Sequence, residues 1–472
     1  MLKKHVLVFI FGSIFIIASV ALVAAARGPL EDTYTYLPII EKDQDNSTAT
    51  PTATTEPTTP AEATPTPEAT TTPTSGSLAE TWMAAWKLNT SEETSPIFSG
   101  VVVDISTVYT KTVGGQDYQC ITASGIPSYE TTITQDIIDG LNNRQKAATD
   151  FASNGQTTVE LDQVVKFGED VGYVSSGCET TEEGYGYWPP GPACPTEQSK
   201  DQCFPLNPEP SVDEADMCET GLADMGTFVN GVGIWNWQDG SSYNNQGVWQ
   251  NEAFHFERND LDIIPGHSAN GRYHHHSNPW ALGDQLGDIG DSHSPIYGFA
   301  ADGYPVYGPW HADSELAVSC WSTRDYDDPS SATGCGVAGE RSCQFVDELD
   351  ISQGVVSVDL GPSTSDSVSS LSGNVFTTTS GYYREDYYYE ASCSAQGIQY
   401  LDEHNGHDHD GLGYHYHVTV VDNGNGTYED VFPFYIGPVY AGILTDEAIA
   451  SCDGGGGPGG PPGGGGGPGG PP

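Results

Sequence analysis

The sequence predicts a mainly β domain with long loops and few helices. Three observations support this prediction. Helical periodicity is scarce, the ten cysteines are even in number, and one set of short motifs occurs twice in the same order. The expected fold is therefore a single disulfide-stabilised domain with an internal pseudo-two-fold duplication.

The composition is that of a folded but strongly acidic protein. Its 472 residues include 65 Asp and Glu against 15 Lys and Arg, which gives a formal net charge of −50. The 37% hydrophobic content is enough for a sizeable core. Nucleic acids and anionic membrane surfaces both require clustered basic side chains, so we expect neither as a partner. The sequence does not identify a small-molecule or cell-surface partner.

The ends of the chain predict export and low-complexity segments. Lys3 and Lys4 precede an apolar run and then Ala24–Ala26, a pattern typical of a signal peptide, with an uncleaved anchor as the alternative. We expect the protein to be secreted or held at the cell surface. The assigned segments are a signal peptide or anchor at 1–26, a disordered Thr/Pro-rich stalk at 27–80, the β domain at 81–452 and a disordered Gly/Pro tail at 453–472.

The cysteines fit an exported protein. None of the ten forms a C-x-x-C pair, so zinc ribbons and thioredoxin-like sites are not indicated. In an oxidising compartment, five disulfides are the default expectation. We expect one local set to pair among its own members: Cys320, Cys335, Cys343 and Cys393.

One helix is predicted, over Gln135–Phe151, because apolar residues recur there at helical intervals. The other apolar runs are short, rich in β-branched and aromatic residues and bounded by turn-forming residues, which predicts strands. These runs are Val101–Val108, Thr227–Trp235, Val355–Leu360, Tyr414–Val421 and Tyr428–Tyr435. The turn-rich residues 422–426 predict that the last two form a hairpin.

The repeated motifs define two halves. Leu261-Asp262-x-x-x-Gly266-His267 precedes Tyr273-His274-x-His276, and Leu401-Asp402-x-x-x-Gly406-His407 precedes Tyr414-His415-x-His417. Related segments at 228–235 and 300–307 lie upstream of the two copies in the same order. We place the motif core at 227–442, with an insertion at about 311–396 in the second half.

The repeat suggests metal chemistry. Alternate residues of a strand share a face, so a His-x-His strand and a third His on the preceding loop allow three imidazoles to converge. Such a shell is typical of Zn²⁺ or Cu²⁺. Core histidines that bond only to main-chain carbonyls are the alternative. The candidate ligands are His267, His274, His276, His407, His415 and His417.

Several further residues are candidates for supporting roles. Asp262 and Asp402 stand at matched positions, where they either orient an imidazole or cap a turn. The other candidate supporting residues are His293, Asp302, Tyr273 and Tyr414. A weaker Ca²⁺ candidate is the acidic loop that contains Asp284, Asp288 and Asp291, with a solvated loop as its alternative.

The relation between the two halves decides how many sites exist. Neither half can bury its apolar face alone, so we expect a shared β core in which the two His-x-His strands are close neighbours. All six imidazoles would then lie on the same side of the core. Convergence of all six predicts one dinuclear site, whereas opposite surfaces predict two mononuclear sites.

Several motifs together resemble the YHYH domain proteins: Gly413–His417, Leu401–His407, His293–Ala300, Asp302–Pro309, Val229–Val232 and Phe432–Gly437. The resemblance spans roughly Val101 to Gly442. The first copy departs from the pattern because His275 replaces the second Tyr. His404 and Pro438 stand where Cys is common in the family, which implies that one family disulfide is missing. The resemblance implies secretion but no particular reaction.

Three function classes remain open. The first is a non-catalytic metal-binding protein. The second is a metalloenzyme, either a hydrolase with zinc-activated water or a copper oxidase. Its acid or base candidates are Asp262, Asp402, Glu403 and Asp302. The third is a structural or carbohydrate-contacting module, for which the candidate aromatics are Trp235, Trp237, Trp249 and Trp310.

Overall fold

The computed structural model describes residues 77–95, 98–174, 194–213, 216–222, 224–424, 427–450 and 452. The predicted signal peptide, the predicted tail and all but the last four residues of the predicted stalk lie outside these ranges. Within the described ranges, no helix is long and apolar enough to cross a membrane.

The described residues are mainly β, with 32% strand and 13% helix, as the sequence predicts. The helices are short: α1 Leu78–Ala85, α2 Gln135–Asn142, α3 Ala147–Asp150, α4 Ala253–Phe256, α5 Trp280–Leu286 and α6 Ala391–Ser394. Three single 3₁₀ turns cover Tyr243–Asn245, Ile351–Gln353 and Arg384–Asp386.

The single helix predicted over Gln135–Phe151 is wrong, because α2 ends at Asn142 and α3 begins only at Ala147. Asn143 caps α2, because its main-chain N–H donates a hydrogen bond to the carbonyl of Asp139. Asparagine is a poor helix former. In the gap, the buried Arg144 guanidinium donates to the carbonyl of Leu261, a contact that local periodicity cannot predict.

The strands before the first repeat form two small sheets. In chain order they are β1 Ile105–Val113, β2 Gln116–Ala123, β3 Glu130–Thr132, β4 Val164–Lys166 and β5 Lys200–Pro205. Strands β1, β2 and β5 form an antiparallel sheet in that order, and β3 pairs with β4. The run predicted at Val101–Val108 therefore becomes a strand only at Ile105 and continues to Val113.

The remaining strands build a larger sheet and several hairpins. Those of the first half and the start of the second are β6 Asp224–Phe228, β7 Gly233–Trp235, β8 Gln238–Ser242, β9 Gln250–Glu252, β10 Gly266–Ala269, β11 Arg272–His275, β12 Ile296–Ala300 and β13 Pro305–Tyr307. Those of the insertion are β14 Trp310–Ala312, β15 Glu315–Leu316, β16 Trp321–Thr323, β17 Cys343–Phe345, β18 Val355–Ser357, β19 Ser367–Ser369, β20 Val375–Thr377 and β21 Tyr387–Tyr389. The last strands are β22 Gly406–Asp408, β23 Tyr414–His417, β24 Val420–Asp422 and β25 Tyr428–Asp430.

Four predicted strand runs are divided or shortened, and among them Tyr428–Tyr435 is a strand only as far as Asp430. Thr227–Trp235 spans the β6–β7 hairpin, and Tyr414–Val421 spans β23 and β24. Val355–Leu360 ends early, at Ser357. The predicted hairpin is confirmed, since β24 pairs antiparallel with β25.

The central sheet has eight strands in the order β10-β11-β7-β6-β12-β13-β23-β22. The pairing pattern is the same from both edges inward: an antiparallel pair, a parallel step, a second antiparallel pair, and then β6 against β12 at the centre. The matched turn residues Asn230 and Asp302 each accept a hydrogen bond from the amide two residues later, at 3.2 and 3.1 Å. This pattern is compatible with the duplication, which stays a prediction.

The two His-x-His strands are not neighbours, so that expectation is wrong. Strands β7, β6, β12 and β13 lie between β11 and β23. Five strand spacings amount to roughly 24 Å across the sheet. The pairing register nevertheless keeps His274 and His417 on one face. The reason for the separation is that each half pairs internally and only β6 and β12 join the halves.

The small N-terminal sheet packs against the centre of the large one. Trp86 lies between Phe299 of β12 and Phe204 of β5, with ring centroids at 4.9 and 5.5 Å. Gly231, in the β6–β7 turn, has a φ of +84°, and a Cβ there would lie 2.7 Å from the Cβ of Ala123. A side chain at this turn would therefore force the two sheets apart.

The insertion forms hairpins around a second apolar cluster. The pairs are β14–β15, β16–β21, β17–β18 and β19–β20. The cluster consists of Trp249, Phe256, Tyr326, Phe376, Tyr382 and Tyr383. Beside it, the fully buried Arg341 and Asp386 form a two-point ion pair at 2.7 and 2.8 Å.

Four disulfides join described residues: Cys120–Cys203, Cys218–Cys452, Cys320–Cys393 and Cys335–Cys343. The last two confirm that the insertion cysteines pair among themselves. Among the described residues, no cysteine is free.

Candidate metal centres

Three histidines of the first repeat converge at one edge of the central sheet. His267 on β10 lies directly opposite His274 on β11, and His276 follows two residues later. Their ligand atoms all lie within 4.8 Å of one another, and all three side chains are buried. We call these residues, with Glu257 described below, the N-cluster.

Main-chain carbonyls fix the proton positions in the N-cluster. His274 Nδ1 lies 2.9 Å from the carbonyl of Arg272, and His276 Nδ1 lies 2.9 Å from that of Asn236. A carbonyl only accepts, so each Nδ1 carries the proton and each Nε2 presents a lone pair. These two Nε2 atoms are 3.0 Å apart. Two facing lone pairs need a proton or a metal ion between them.

Glu257 completes the N-cluster, and sequence reasoning missed it. Its Oε2 lies 3.3 Å from His267 Nε2 and 3.2 Å from His276 Nε2, with 27% of the side chain exposed. Burial acts to raise the pKa of Glu257, but the two imidazoles outweigh it and lower the pKa, so the carboxylate is anionic. Burial also acts to lower the pKa of His267, and Glu257 reverses that shift. Nothing in the local sequence around Glu257 distinguishes it from a surface acid.

Six histidines converge at the opposite edge, and we call them the C-cluster: His293, His311, His407, His409, His415 and His417. They form two overlapping groups whose ligand atoms lie within 4.8 Å of one another. The groups are His293, His409, His415 and His417, and His311, His407 and His409. His407 on β22 lies opposite His415 on β23, as His267 does with His274.

The C-cluster repeats the carbonyl arrangement. The Nδ1 atoms of His293, His407, His415 and His417 lie 2.6–2.8 Å from the carbonyls of Ser294, Ile398, Gly413 and Gly308. Among the described residues, the Nε2 atoms of these four histidines are buried without a hydrogen-bond partner. A buried polar atom left unpaired costs roughly 1–3 kcal/mol, so four of them are a large cost unless they bind something.

Burial favours the neutral form of His274, His407, His415 and His417. It lowers the pKa of His407 and of His415 to about 3, with neighbouring histidines adding to the effect. The same two causes hold the pKa values of His274 and His417 well below the ordinary range. Neutral imidazole is the form that binds metal ions.

The three aspartates proposed as supporting residues do not touch the cluster imidazoles. Each accepts hydrogen bonds from turn amides and from one tyrosine. Asp262 accepts from Tyr273 at 2.6 Å, Asp402 from Tyr414 at 3.0 Å, and Asp302 from Tyr416 at 2.5 Å. Turn capping is therefore the observed role, and the tyrosines anchor the histidine strands to those turns.

The sequence-predicted ligands divide into two sets of three, one at each edge of the sheet. His293, expected only as a supporting residue, lies within the C-cluster. His311 and His409 were missed as ligands. His311 belongs to β14 in the insertion, far outside the repeat spacing, and reaches the cluster only through the tertiary fold.

Three other histidines have structural surroundings. His255 stacks on Tyr382 at 4.5 Å. His275 bonds through Nε2 to the Tyr129 hydroxyl at 2.8 Å. His404 Nδ1 lies 2.9 Å from the carbonyl of Val439.

The acidic loop does not form a metal-ligand group. Asp288 accepts hydrogen bonds from the hydroxyls of Ser294 and Tyr297 at 2.6 and 2.8 Å, so its carboxylate closes the loop onto β12. Among the described residues, Asp284, Asp288 and Asp291 do not come together as metal ligands do.

The tryptophans do not form a surface platform. Trp237, Trp249 and Trp310 are buried. Trp235 stacks on His274 at 3.6 Å, so it belongs to the surroundings of the N-cluster.

Comparison with known proteins identifies the domain. Residues 202–425 match the family model described as YHYH protein. The chain contains a YHYH domain. Comparisons with curated proteins and with solved structures found no match. The matched range includes every histidine of the two clusters, and it is narrower than the span of roughly Val101 to Gly442 suggested by the motifs.

The two departures from the YHYH pattern have local explanations. His275 replaces the tyrosine of the first copy, and its bond to Tyr129 satisfies one ring nitrogen in the core. His404 and the residue after Pro438 are in contact through the Val439 carbonyl. His404 therefore bonds to the residue next to Pro438, which brings the two positions where the resemblance implies a disulfide near each other.

Proposed function

We propose that this protein is an exported metal-binding protein whose YHYH domain holds Cu²⁺ or Zn²⁺ in two separate centres, the N-cluster and the C-cluster. The observation that carries the proposal is the convergence of buried imidazoles whose Nδ1 atoms are held by carbonyls and whose Nε2 atoms face one another. Carbonyl-oriented imidazoles are the usual arrangement around a bound transition metal.

The donor set favours Cu²⁺ and Zn²⁺ over harder and softer ions. Imidazole suits both metals, whereas Mg²⁺ and Ca²⁺ prefer oxygen ligands. Among the described residues no cysteine is free, so a thiolate store for Cu(I) has no support. The net charge of −50 also favours the approach of cations.

Export is part of the proposal. The disulfides of the described residues are typical of proteins in oxidising compartments. The N-terminal pattern of basic residues, apolar run and small residues supports the same location.

Metal analysis of untagged protein tests the proposal. After reconstitution with Cu²⁺ or Zn²⁺ and removal of excess ion, we expect at least about one ion per cluster. Less than about 0.2 transition-metal ion per chain would refute the proposal. The His255→Phe variant is the control, because His255 lies outside both clusters and Phe preserves the stacking on Tyr382.

A zinc-dependent hydrolase is the second candidate, and Glu257 is the observation that favours it. The Glu257 side chain is 27% exposed and its carboxylate lies beside the imidazoles of His267 and His276, where it serves either as the fourth ligand or as the base for a metal-bound water. The other acid or base candidates contact neither cluster. Azide binding to the Cu²⁺-loaded N-cluster, followed by visible absorption, separates the roles, because only an open coordination position accepts the anion.

A further inference from the structure

We infer that the C-cluster holds two metal ions side by side, whereas the N-cluster holds one. This inference rests on the proposed function, because it requires that the clusters bind metal. It goes beyond that function by assigning an ion pair to one half of the domain.

The number of imidazoles is the first reason. Zn²⁺ is almost always four-coordinate in proteins, and Cu²⁺ adopts similarly low coordination numbers with imidazole. The C-cluster offers six. One four-coordinate ion would leave at least two of the six imidazoles outside its ligand set.

The spacing of the ligand atoms is the second reason. Nitrogens bound to one ion at 2.0–2.1 Å are at most about 4.2 Å apart. The six C-cluster histidines do not fall into one group at 4.8 Å. They form two groups that share His409.

The groups are contiguous, so two ions would be close. His407 belongs to the three-histidine group. Its ring centroid lies 4.9 Å from that of His415 and 5.0 Å from that of His417, and both of these residues belong to the other group. No main-chain segment can pass between rings at these distances. The two groups are therefore close enough for the ion–ion spacing of about 3.5–4 Å that two-metal sites have in general.

The surroundings can compensate the charge of two divalent ions. Asp410 Oδ2 lies 3.3 Å from His409 Nδ1, and Glu315 Oε2 lies 4.0 Å from His311 Nε2. Both carboxylates are mostly exposed, which puts them at the rim of the three-histidine group. A bridging hydroxide from solvent would supply further negative charge between the ions.

The N-cluster has the composition of a single site. Three imidazoles and the Glu257 carboxylate make one four-ligand set, and within the described part of the chain no further histidine joins this group. We therefore expect about three ions per chain, with one at the N-cluster and two at the C-cluster.

Copper titration of the full chain, followed by electron paramagnetic resonance, tests the inference. An isolated Cu²⁺ gives a full signal, whereas two Cu²⁺ ions bridged at about 4 Å couple and lose it or show a half-field transition. We expect about three Cu²⁺ per chain by metal analysis but only about one visible spin. Two Cu²⁺ per chain, both fully visible, would overturn the ion pair and leave the proposed function intact. No bound copper would overturn both.

Two variants identify which spins belong to which cluster. The His311→Gln change removes a ligand of the three-histidine group only, so copper should fall from about three to about two and visible spins rise from about one to about two. The His276→Ala change removes an N-cluster ligand, so copper should also fall to about two, but visible spins should fall toward zero. The His404→Gln control should retain all three ions. Equal spin counts in His311→Gln and His276→Ala would contradict the assignment, and the wild-type titration decides the matter even if a variant does not fold.

Discussion

At the residue scale, main-chain carbonyls orient the cluster imidazoles. Six of the nine cluster histidines have Nδ1 within hydrogen-bond distance of a carbonyl. A carbonyl cannot be deprotonated or rotate away, so the tautomer is fixed as the strand forms. The ligand nitrogens are thus preorganised by the backbone.

Single histidine variants should affect only their own cluster. His276→Ala should lose the N-cluster ion and retain the C-cluster metal, and His417→Ala should do the reverse, because four strands separate the two sites. Metal content per chain by mass spectrometry measures both. Loss of nearly all metal in both variants would mean one shared site. His255→Phe should bind as the wild type does.

The carboxylate of the N-cluster should matter for affinity. Glu257→Gln keeps the shape but removes the negative charge beside His267 and His276, so Zn²⁺ affinity at this cluster should fall on the order of 10–100-fold. Calorimetric titration of the zinc-free protein measures it. Glu315→Gln is the matched control at the other cluster. An unchanged N-cluster affinity would remove Glu257 from the ligand set.

The residues that sequence reasoning found and missed differ in a physical way. His274 and His276 were found because strand alternation is a local property with a period of two. Glu257 and His311 were missed because tertiary packing brings them to the clusters, whereas His409 follows His407 at the same spacing of two residues and was overlooked. No spacing rule connects β14 in the insertion with β22.

At the element scale, each of the two histidine hairpins, β10–β11 and β22–β23, is closed by an aspartate and anchored by a tyrosine. In the second half, Asp402 accepts from the amides of His404 and Gly406 and from the Tyr414 hydroxyl. The corresponding Asp262 accepts from Ile264, Gly266 and Tyr273. Sequence reasoning named the matched aspartates and also Tyr273 and Tyr414 as supporting residues, but it did not predict that the two kinds of residue pair with each other.

Removing the anchoring hydroxyl should weaken the second hairpin. Tyr414→Phe leaves Asp402 without one donor, which should cost about 1.5–3 kcal/mol of unfolding free energy when the carboxyl is ionised. Burial raises the pKa of Asp402 to about 6, so the loss should be larger at pH 8 than at pH 5. Urea unfolding at the two pH values measures it. Tyr428→Phe, on β25, is the control, and equal losses in the two variants would argue against this role.

At the scale of the whole molecule, buried neutral histidines make the fold sensitive to acid. Burial lowers the pKa of His255 and of His275 to about 3. In the unfolded chain these groups take up a proton near pH 6.5, so between pH 6.5 and 3 the unfolded state binds more protons and stability falls as the pH falls. Buried carboxyls act in the opposite sense, since the pKa of Asp302 is raised to about 6.

The His255→Phe variant isolates one histidine contribution. Residue 255 lies outside both clusters, so the chelator-treated variant can be compared with the chelator-treated wild type without interference from metal loss. The slope of unfolding free energy against pH, from pH 6 to 4, should be smaller than in the wild type by at most about 1.4 kcal/mol per pH unit. The neighbouring Glu252, whose pKa burial raises well above the usual range, contributes to both proteins. An unchanged slope would mean that His255 is protonated in the folded state.

The global arrangement was only partly accessible from sequence. The presence of short strands, the β24–β25 hairpin and the pairing of the insertion cysteines among themselves were predicted correctly, although the bounds of the strands were not. The separation of the two His-x-His strands was not predicted, because the motifs do not specify that β6 and β12 form the central pair. Only that pairing decides that the hairpins end at opposite edges.

The two outer strands of the central sheet, β10 and β22, each have a partner on one side only. Such strands can accept a strand from another molecule. His267 lies on β10 and His407 on β22, so metal bound at the clusters would stabilise both edge strands of the sheet. Chelation would loosen both edges at once and leave each molecule with two exposed edge strands on opposite sides. Molecules that associate through opposite edges form open linear assemblies instead of closed dimers. Light scattering should therefore increase with time after EDTA treatment at neutral pH, and re-added zinc should prevent the increase.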